Sequence, residues 1–290
     1  MNNSMFKELR ARLDTLSKGH KRIAEYILEH YDKAAFMTAA KLGNIVGVSE
    51  STVVRFATEM GYEGYPEMQK ALREFTTNRL TSIQRIDVMS DQIGSDDLYE
   101  TVLNMDIDKI RRTLEEGDKE EFYHTVDHLV AAKNIYIIGA RSAAVLARFL
   151  NFYFNVIFDN VRLIHTTSTS EMFEQILHIG SDDIMIGISF PRYSKHTVKA
   201  FKYAHSRGAT VIAITDSKTS PLAAYANHML LARSDMASFA DSLVAPLSVI
   251  NALIVAVGVK KRDQVAANFE RLEKIYDEYE VYETSDDQDY

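Results

Sequence analysis

Five short apolar runs mark the C-terminal two-thirds of the chain: Ile135–Ile138, Val161–Ile164, Ile184–Ile188, Val211–Ile214 and Met229–Leu231. Helix-length amphipathic stretches separate them. Strands that are apolar along nearly their whole length are buried on both faces, and strands that alternate with helices join as parallel neighbours. The pattern predicts an α/β domain of three layers, a parallel sheet between two layers of helices. Two helices are expected between about Leu98 and the first strand. Two more close the chain, over Ser242–Val259 and Arg262–Tyr279.

The first eighty residues read differently. Ile23, Tyr26, Ile27 and Tyr31 recur at helical spacing, and shorter helical segments follow to about Phe75. Pro66 is placed to open a last helix from Glu67 to about Arg79. The polar, weakly periodic stretch that starts near Thr76 and ends at Asp97 reads as a linker. The expected organisation is an all-α domain over 1–80, a linker over 81–97 and the α/β domain over 98–290. Charge divides the same way. Residues 1–80 carry 12 Lys and Arg against 10 Asp and Glu, whereas the whole chain has a net charge of −8. A mildly basic head on an acidic body points to the head as the part that meets polyanions.

Composition excludes several chemistries. The chain has no cysteine, which removes disulfides, thiolate metal sites and cysteine nucleophiles. None of the nine histidines pairs with Asp or Glu at a metal-ligand spacing, so no metal is expected. No apolar run approaches the ~20 residues that span a bilayer, and the charged N-terminus lacks the apolar core of a signal peptide. A cytoplasmic protein without membrane contact is expected.

Within the helical head, AKLGNIVGVSESTVVRF fits a helix-turn-helix unit. Leu42, Val46, Val48, Val53 and Phe56 let two short helices share one buried face. Gly43 sits where the helices cross, Gly47 at a turn that needs positive φ, and Ser49 at an N-cap. The second helix then presents Ser49, Glu50, Ser51, Thr52 and Arg55 outward. Short hydroxyls near a helix N-terminus suit phosphates and base edges, and an arginine further along reaches guanine N7 and O6. Lys18, Lys21, Arg22 and Lys41 are further phosphate-contact candidates. The competing reading is an interaction domain of the same shape.

The run from Gly19 to Leu72, above all GVSESTVVRF followed by GYEGY, resembles the N-terminal domain of the RpiR family of bacterial transcriptional regulators. The resemblance implies operator binding to double-stranded DNA as a dimer. It also implies a C-terminal sugar isomerase (SIS) domain, a doubly wound flavodoxin-like sheet that binds phosphosugars. GISFPRYSKHTVKAFKYAHSRGATVIAITDSKTSPLAAYANHMLLA is similar to that domain from its third strand to its fifth.

Ligands of parallel sheets sit beyond the carboxyl ends of the strands, where helix N-termini point free amides. Just past those ends stand Arg141 and Ser142, Thr167 and Ser168, then Ser189, Arg192 and Ser194. Hydroxyls, amides and guanidinium forks together suit a phosphorylated polyol, although any single serine there equally serves as a helix cap. Ser189 and Ser194 fall on the first serine and the threonine of the family's SxSGxT loop. Pro191 and Arg192 replace its second serine and glycine. In the earlier GxGxS loop Arg141 replaces the second glycine and Ala143 the serine. The arginines would fill a phosphate cradle with positive charge, so a sugar acid is a candidate alongside a sugar phosphate. The alternative is that each arginine pairs with an acidic neighbour. Ser238 and Asp241 are implied as further site residues, with a capped helix start as their plain alternative.

Two nucleotide readings fail. GARSAA lacks the second and third glycines of a dinucleotide fingerprint, and there is no GxxxxGK[ST] loop. No cofactor is expected. The isomerases of the resembled domain use a base where this chain has His196, which reads as an exposed position on a basic helix face. His165, at a strand end, is the other candidate base. No catalytic set assembles. The expectation is a regulator, a homodimer or homotetramer that senses a small sugar-phosphate or sugar-acid effector. The rival is a sugar-phosphate isomerase with a helical interaction domain.

Overall fold

A computed structural model of the 290-residue chain describes residues 2–77, 83–84, 86, 97–234 and 240–282. These form two compact units that divide at Met105 and Asp106. Most of the expected linker over 81–97 lies outside the described residues.

The first unit is helical: α1 (Asn2–Arg12), α2 (Lys18–Glu29), α3 (Tyr31–Ala34), α4 (Ala39–Val46), α5 (Glu50–Glu59) and α6 (Tyr65–Thr77). Ile23, Ile27, Leu42, Val53, Phe56 and Leu72 are fully buried in one core. α6 starts two residues before the sequence predicts. The Tyr65 hydroxyl donates to the Met37 carbonyl at 2.7 Å, and that tertiary bond draws Tyr65 into the helix. Burial pushes its phenol up to about 12. Pro66 is tolerated in the first turn, where a backbone N–H has no helical partner.

The second unit opens with α7 (Leu98–Glu116), which carries the division between the units, and α8 (Lys119–Ala131). Then follow β1 (Ile135–Gly139), α9 (Ala143–Ile157), β2 (Val161–Ile164), α10 (Thr169–Gln175), β3 (Ile184–Ile188), α11 (Lys195–Ser206), β4 (Thr210–Thr215) and β5 (His228–Leu231). Two helices finish it, α12 (Val244–Lys260) and α13 (Arg262–Glu278). The strands are all parallel, in the order β2-β1-β3-β4-β5. This is the doubly wound, flavodoxin-like order, which reverses direction between β1 and β3.

Both sheet faces are covered. Ile135, Ile137, Ile186 and Ile212 pack with α8, α9 and α12 on one side. Tyr136, Ile138, Met185 and Val211 pack with α10 and α11 on the other. At Gly187 an added Cβ would lie 1.9 Å from the Phe201 ring, so the ring of α11 rests on bare backbone of β3.

The edge strand β5 is tied to the first two helices of the unit. The Glu121 carboxylate of α8 accepts from the Met229 N–H at 2.9 Å, and the Thr113 hydroxyl of α7 accepts from the Arg233 N–H at 2.9 Å. α12 starts at Val244 and not at the predicted Ser242. The Ser242 hydroxyl instead donates to Asp106 at 2.7 Å, and Asp106 also holds the buried Lys109 ammonium at 3.1 Å. Among the described residues no single helix is long and apolar enough to cross a membrane.

Candidate functional site

The helical unit builds its surface on a tight turn. Gly47 ends α4 in the left-handed region at φ 69°. At Gly43 an added Cβ would come within 2.8 Å of the Val48 carbonyl oxygen, so a side chain there would part α4 from α5. Ser49 caps α5, accepting from the Thr52 N–H at 3.3 Å. Its hydroxyl also bonds those of Ser51 and Thr52, at 2.9 and 2.8 Å.

Ser49, Glu50, Ser51, Arg55 and Lys41 are exposed as the sequence predicts, but Thr52 is half-buried. Its hydroxyl is engaged by Ser49, and a Cβ at Gly19 of α2 would lie 3.5 Å from its methyl. Of the five α5 positions expected outward, Thr52 is therefore corrected to a partly packed residue. Arg22, expected on phosphate, donates to the Gly47 carbonyl at 3.3 Å and braces the turn. Lys21 reaches Asp14 at 3.5 Å. Sequence reasoning missed Val54, which is 40% exposed on α5 beside Ser51 and Arg55. Its signal was available: an apolar residue off the face that buries Val53 and Phe56. A β-branched side chain there suits a thymine methyl.

In the α/β unit, the candidate site forms at the β1/β3 reversal. Gly139 is paired with Ile188, so the loops leaving β1 and β3 lie side by side. Gly139 cannot carry a side chain, because a Cβ would sit 2.5 Å from the Ala143 carbonyl oxygen. That close approach brings the N-terminus of α9 onto the strand end.

Arg141 and Arg192 have φ values of 59° and 63°. The backbone at both positions keeps the left-handed conformation that glycine adopts freely, at a cost of about 1–3 kcal/mol for each arginine. Strain of this kind collects at functional sites. Both side chains are exposed, and neither makes an ion pair or hydrogen bond among the described residues. Two unpaired guanidinium groups at adjacent loops form an anion-attracting edge.

The hydroxyl groups fall into two sets. Ser168 caps α10 by accepting from the Glu171 N–H at 3.4 Å, and Ser194 caps α11 by accepting from His196 N–H at 3.2 Å. Buried Ser189 accepts from the Ser194 N–H at 3.3 Å and closes the β3 loop. Ser142 and Thr167 are exposed, and Ser142 makes no capping bond at the start of α9. Arg141, Arg192, Ser142 and Thr167 are thus the groups with free donors. Ser238 lies outside the described residues, and Asp241 groups with the helical unit.

A hydrogen-bonded path leads away from the Arg192 loop. The Tyr193 hydroxyl donates to Asp216 at 2.8 Å, and the Thr215 hydroxyl reaches the same oxygen at 3.2 Å. The Thr215 carbonyl accepts from the Ala232 N–H at 2.8 Å. Next in the chain, Arg233 bonds Thr113 and Glu116 of α7.

His196 is corrected from the exposed position the sequence suggests. It is half-buried, and its Nε2 is shut off from solvent without a hydrogen-bond partner. Burial first, and then the Lys199 charge, hold its pKa below the ordinary value. His165 Nε2 faces the Arg148 guanidinium at 2.6 Å. Arginine only donates, so that nitrogen accepts and is occupied. Among the described residues, no group of three or more His, Asp or Glu side chains could hold a metal ion.

Residues 3–78 match the family model described as the helix-turn-helix domain of the rpiR family, and residues 128–256 match the SIS domain. The HTH-type transcriptional regulator HexR of Escherichia coli is 27% identical over 297 aligned residues, covering 98% of this chain and 99% of that protein. The sugar isomerase domain of an RpiR transcription factor from Sphaerobacter thermophilus superposes with a TM-score of 0.59 at 26% identity, over 61% of this chain and 98% of that one. The Vibrio vulnificus NanR protein, complexed with ManNAc-6P, shares the fold at a TM-score of 0.59 and 22% identity, over 94% of this chain and 97% of that one.

Proposed function

Because the chain belongs to the RpiR family of transcriptional regulators, with a helix-turn-helix domain joined to a SIS domain, we propose that it is a sugar-responsive operator-binding protein. In this reading the helical domain, 1–80, enters a major groove of double-stranded DNA with α5. Ser49, Glu50, Ser51, Arg55 and Lys41 make its contacts, while half-buried Thr52 holds the Ser49 hydroxyl in place. The domain over 98–290 holds a small anionic sugar, a phosphosugar or a sugar acid, at the carboxyl edge of the sheet. Arg141, Ser142, Thr167 and Arg192 offer the free donors of that site, on loops that Ser168, Ser189 and Ser194 cap or close; Ser238 and Asp241 are the remaining sequence candidates.

The observation that carries the ligand half is the pair of unpaired arginines held in left-handed backbone at the β1/β3 reversal. ManNAc-6P, seen with NanR, belongs to the same anionic class. A sensor role is favoured over isomerisation because neither candidate base is poised. His196 Nε2 is closed off, and His165 Nε2 is engaged by Arg148. A general base must come within hydrogen-bond reach of the proton it removes.

The working unit is a cytoplasmic homodimer or homotetramer. Ligand binding alters the spacing of two recognition helices, which must reach half-sites about 34 Å apart. The linker over 81–97 carries the change. A coupling of about 1–3 kcal/mol shifts operator occupancy roughly 5- to 150-fold.

Arg55→Ala tests the DNA half. Specific duplex binding is expected to weaken by about 1–3 kcal/mol, while thermal-shift responses to sugar phosphates and sugar acids persist. Undiminished operator affinity would remove α5 from the recognition role. Incubation with aldose and ketose phosphates, followed by NMR, tests the sensor half. Interconversion at enzymatic rates would replace it with an isomerase.

A further inference from the structure

Beside the edge strand β5 the second unit holds a cavity of about 680 Å³. Close-packed interiors leave few voids larger than a water molecule, whereas small-molecule sites run from about 300 to 1,000 Å³. Its walls are Ile110 and Leu114 of α7, Phe122 of α8 and Met229 of β5. Its floor is α12, a helix rich in leucine, isoleucine and valine that turns smaller residues, Ala245, Ser248 and Ala252, to the cavity beside Val249. The Ser248 hydroxyl donates back to the Val244 carbonyl at 3.0 Å, which leaves the floor largely apolar. All the lining residues belong to the second unit. β4 separates β5 from β3, so the cavity is distinct from the anion-attracting edge at the β1/β3 reversal.

The charges around the cavity are unevenly committed. Three carboxylates line it, and each has a partner. Glu116 holds the Arg233 guanidinium, and Asp118 accepts from the Glu121 N–H at 3.0 Å. Glu121 accepts from the Met229 N–H at 2.9 Å and meets His228 at 3.1 Å. Two exposed ammonium groups, Lys119 and Lys218, line it as well. Neither is ion-paired among the described residues. The Thr113 hydroxyl accepts from the Arg233 N–H and keeps its own proton to donate.

The topology gathers these groups at one end. α8 leads into β1 through residues 132–134, so it runs against the strands. Glu121 lies beside Met229 of β5, and Lys119, earlier in α8, lies nearer the carboxyl end of the sheet. Lys218 follows the carboxyl end of β4, and Thr113 bonds the backbone just past the end of β5. At the opposite end the cavity is lined by Ala226 and Asn227. From Ala226 to Leu231 an extended chain rises about 16 Å. The result is a trough with apolar walls and with cations at one end.

We infer that this trough binds a medium-chain carboxylate. The hydrocarbon chain lies along α12 between Phe122 and Met229, and the carboxylate is held by Lys119, Lys218 and Thr113. A sugar phosphate is a poor fit, since its hydroxyls would lose water without gaining partners along the apolar walls. The small residues of α12 give room to an unbranched chain. Neither DNA binding nor the sheet-edge site enters this inference.

Calorimetric titration of the full-length protein with decanoate tests it. One saturable site per chain is expected. Decanol keeps the chain without the charge and is expected to bind roughly 2- to 30-fold more weakly. Acetate keeps the charge without the chain and is expected to show no saturation. Lys119→Met combined with Lys218→Met should weaken decanoate by the same 2- to 30-fold, roughly the worth of two exposed ion pairs. Ala252 is exposed, so Ala252→Trp can plug the trough without entering the core. It is expected to abolish decanoate binding while the melting temperature of the ligand-free protein is retained. A wild type without a saturable decanoate site, acetate binding as tightly as decanoate, or decanoate affinity untouched by either variant would each overturn the proposal. A changed sedimentation rate of ligand-free Ala252→Trp would assign the trough to a second copy of the chain and overturn it as well. All of these results leave the regulatory reading standing, since none of them measures operator or sugar binding.

Discussion

The two units use left-handed backbone in opposite ways. The helix-turn-helix turn keeps glycine at its positive-φ corner, Gly47, and glycine again at the crossing point, Gly43. The sheet edge holds arginine at two such corners, 141 and 192. One region relaxes its turn with glycine, exposed at 47 and buried at the helix crossing, 43. The other retains strain and turns a charged side chain toward solvent. The contrast separates a turn relaxed by glycine from two loops that keep strained backbone beneath an exposed charge, the kind of strain that collects at functional sites.

The largest effect that would break this contrast is expected at Gly43. Gly43→Ala should destabilise the helical unit by about 1–3 kcal/mol through overpacking against the Val48 carbonyl, although alanine is the better helix former. Thermal denaturation reads the loss, and operator binding should fall with it while the sugar response is retained. A neutral result would mean that α4 and α5 separate freely.

Arg141→Gly and Arg192→Gly should act with the opposite sign. Each is expected to raise the stability of the ligand-free protein by about 1 kcal/mol, as the left-handed penalty disappears. Each should also diminish the thermal shift produced by an anionic sugar. Stabilisation with an unchanged ligand shift would show that the arginines are strained without binding anything.

The smallest effect concerns pH. His196 has its pKa depressed in the folded state, by burial first and then by Lys199. The unfolded chain therefore binds more protons as pH falls through the ordinary histidine value of 6.5. Stability should drop across that window and toward the lower folded value. His196→Leu should flatten the profile of melting temperature between about pH 6.5 and 5. An unchanged slope would assign the acid sensitivity to another group.

Much of this was legible in the residues. The five apolar runs became five parallel strands, because burial on both faces leaves little polar character to disguise them. The helix-turn-helix was legible because Gly43, Gly47 and Ser49 each answer a local steric or hydrogen-bonding demand. What stayed hidden depends on neighbours distant in sequence. Thr52 packs near Gly19 on α2, Arg22 reaches Gly47 across 25 positions, and Ser242 turns to Asp106 across 136. His196 looked exposed because lysines flank it, yet its ring is sheltered by the fold. At the sheet edge the residue types were visible, but not that Ser168, Ser189 and Ser194 spend their oxygens on caps and loop closure while Arg141 and Arg192 have no side-chain partner among the described residues.

The amides of Met229 on β5 and of Arg233 just beyond its end are both taken up, by Glu121 and Thr113. An open strand border is a template on which another chain can extend the sheet, the usual route to runaway aggregation. With those two amides engaged, the β5 border offers no free donor at either position on which a further strand could extend the sheet.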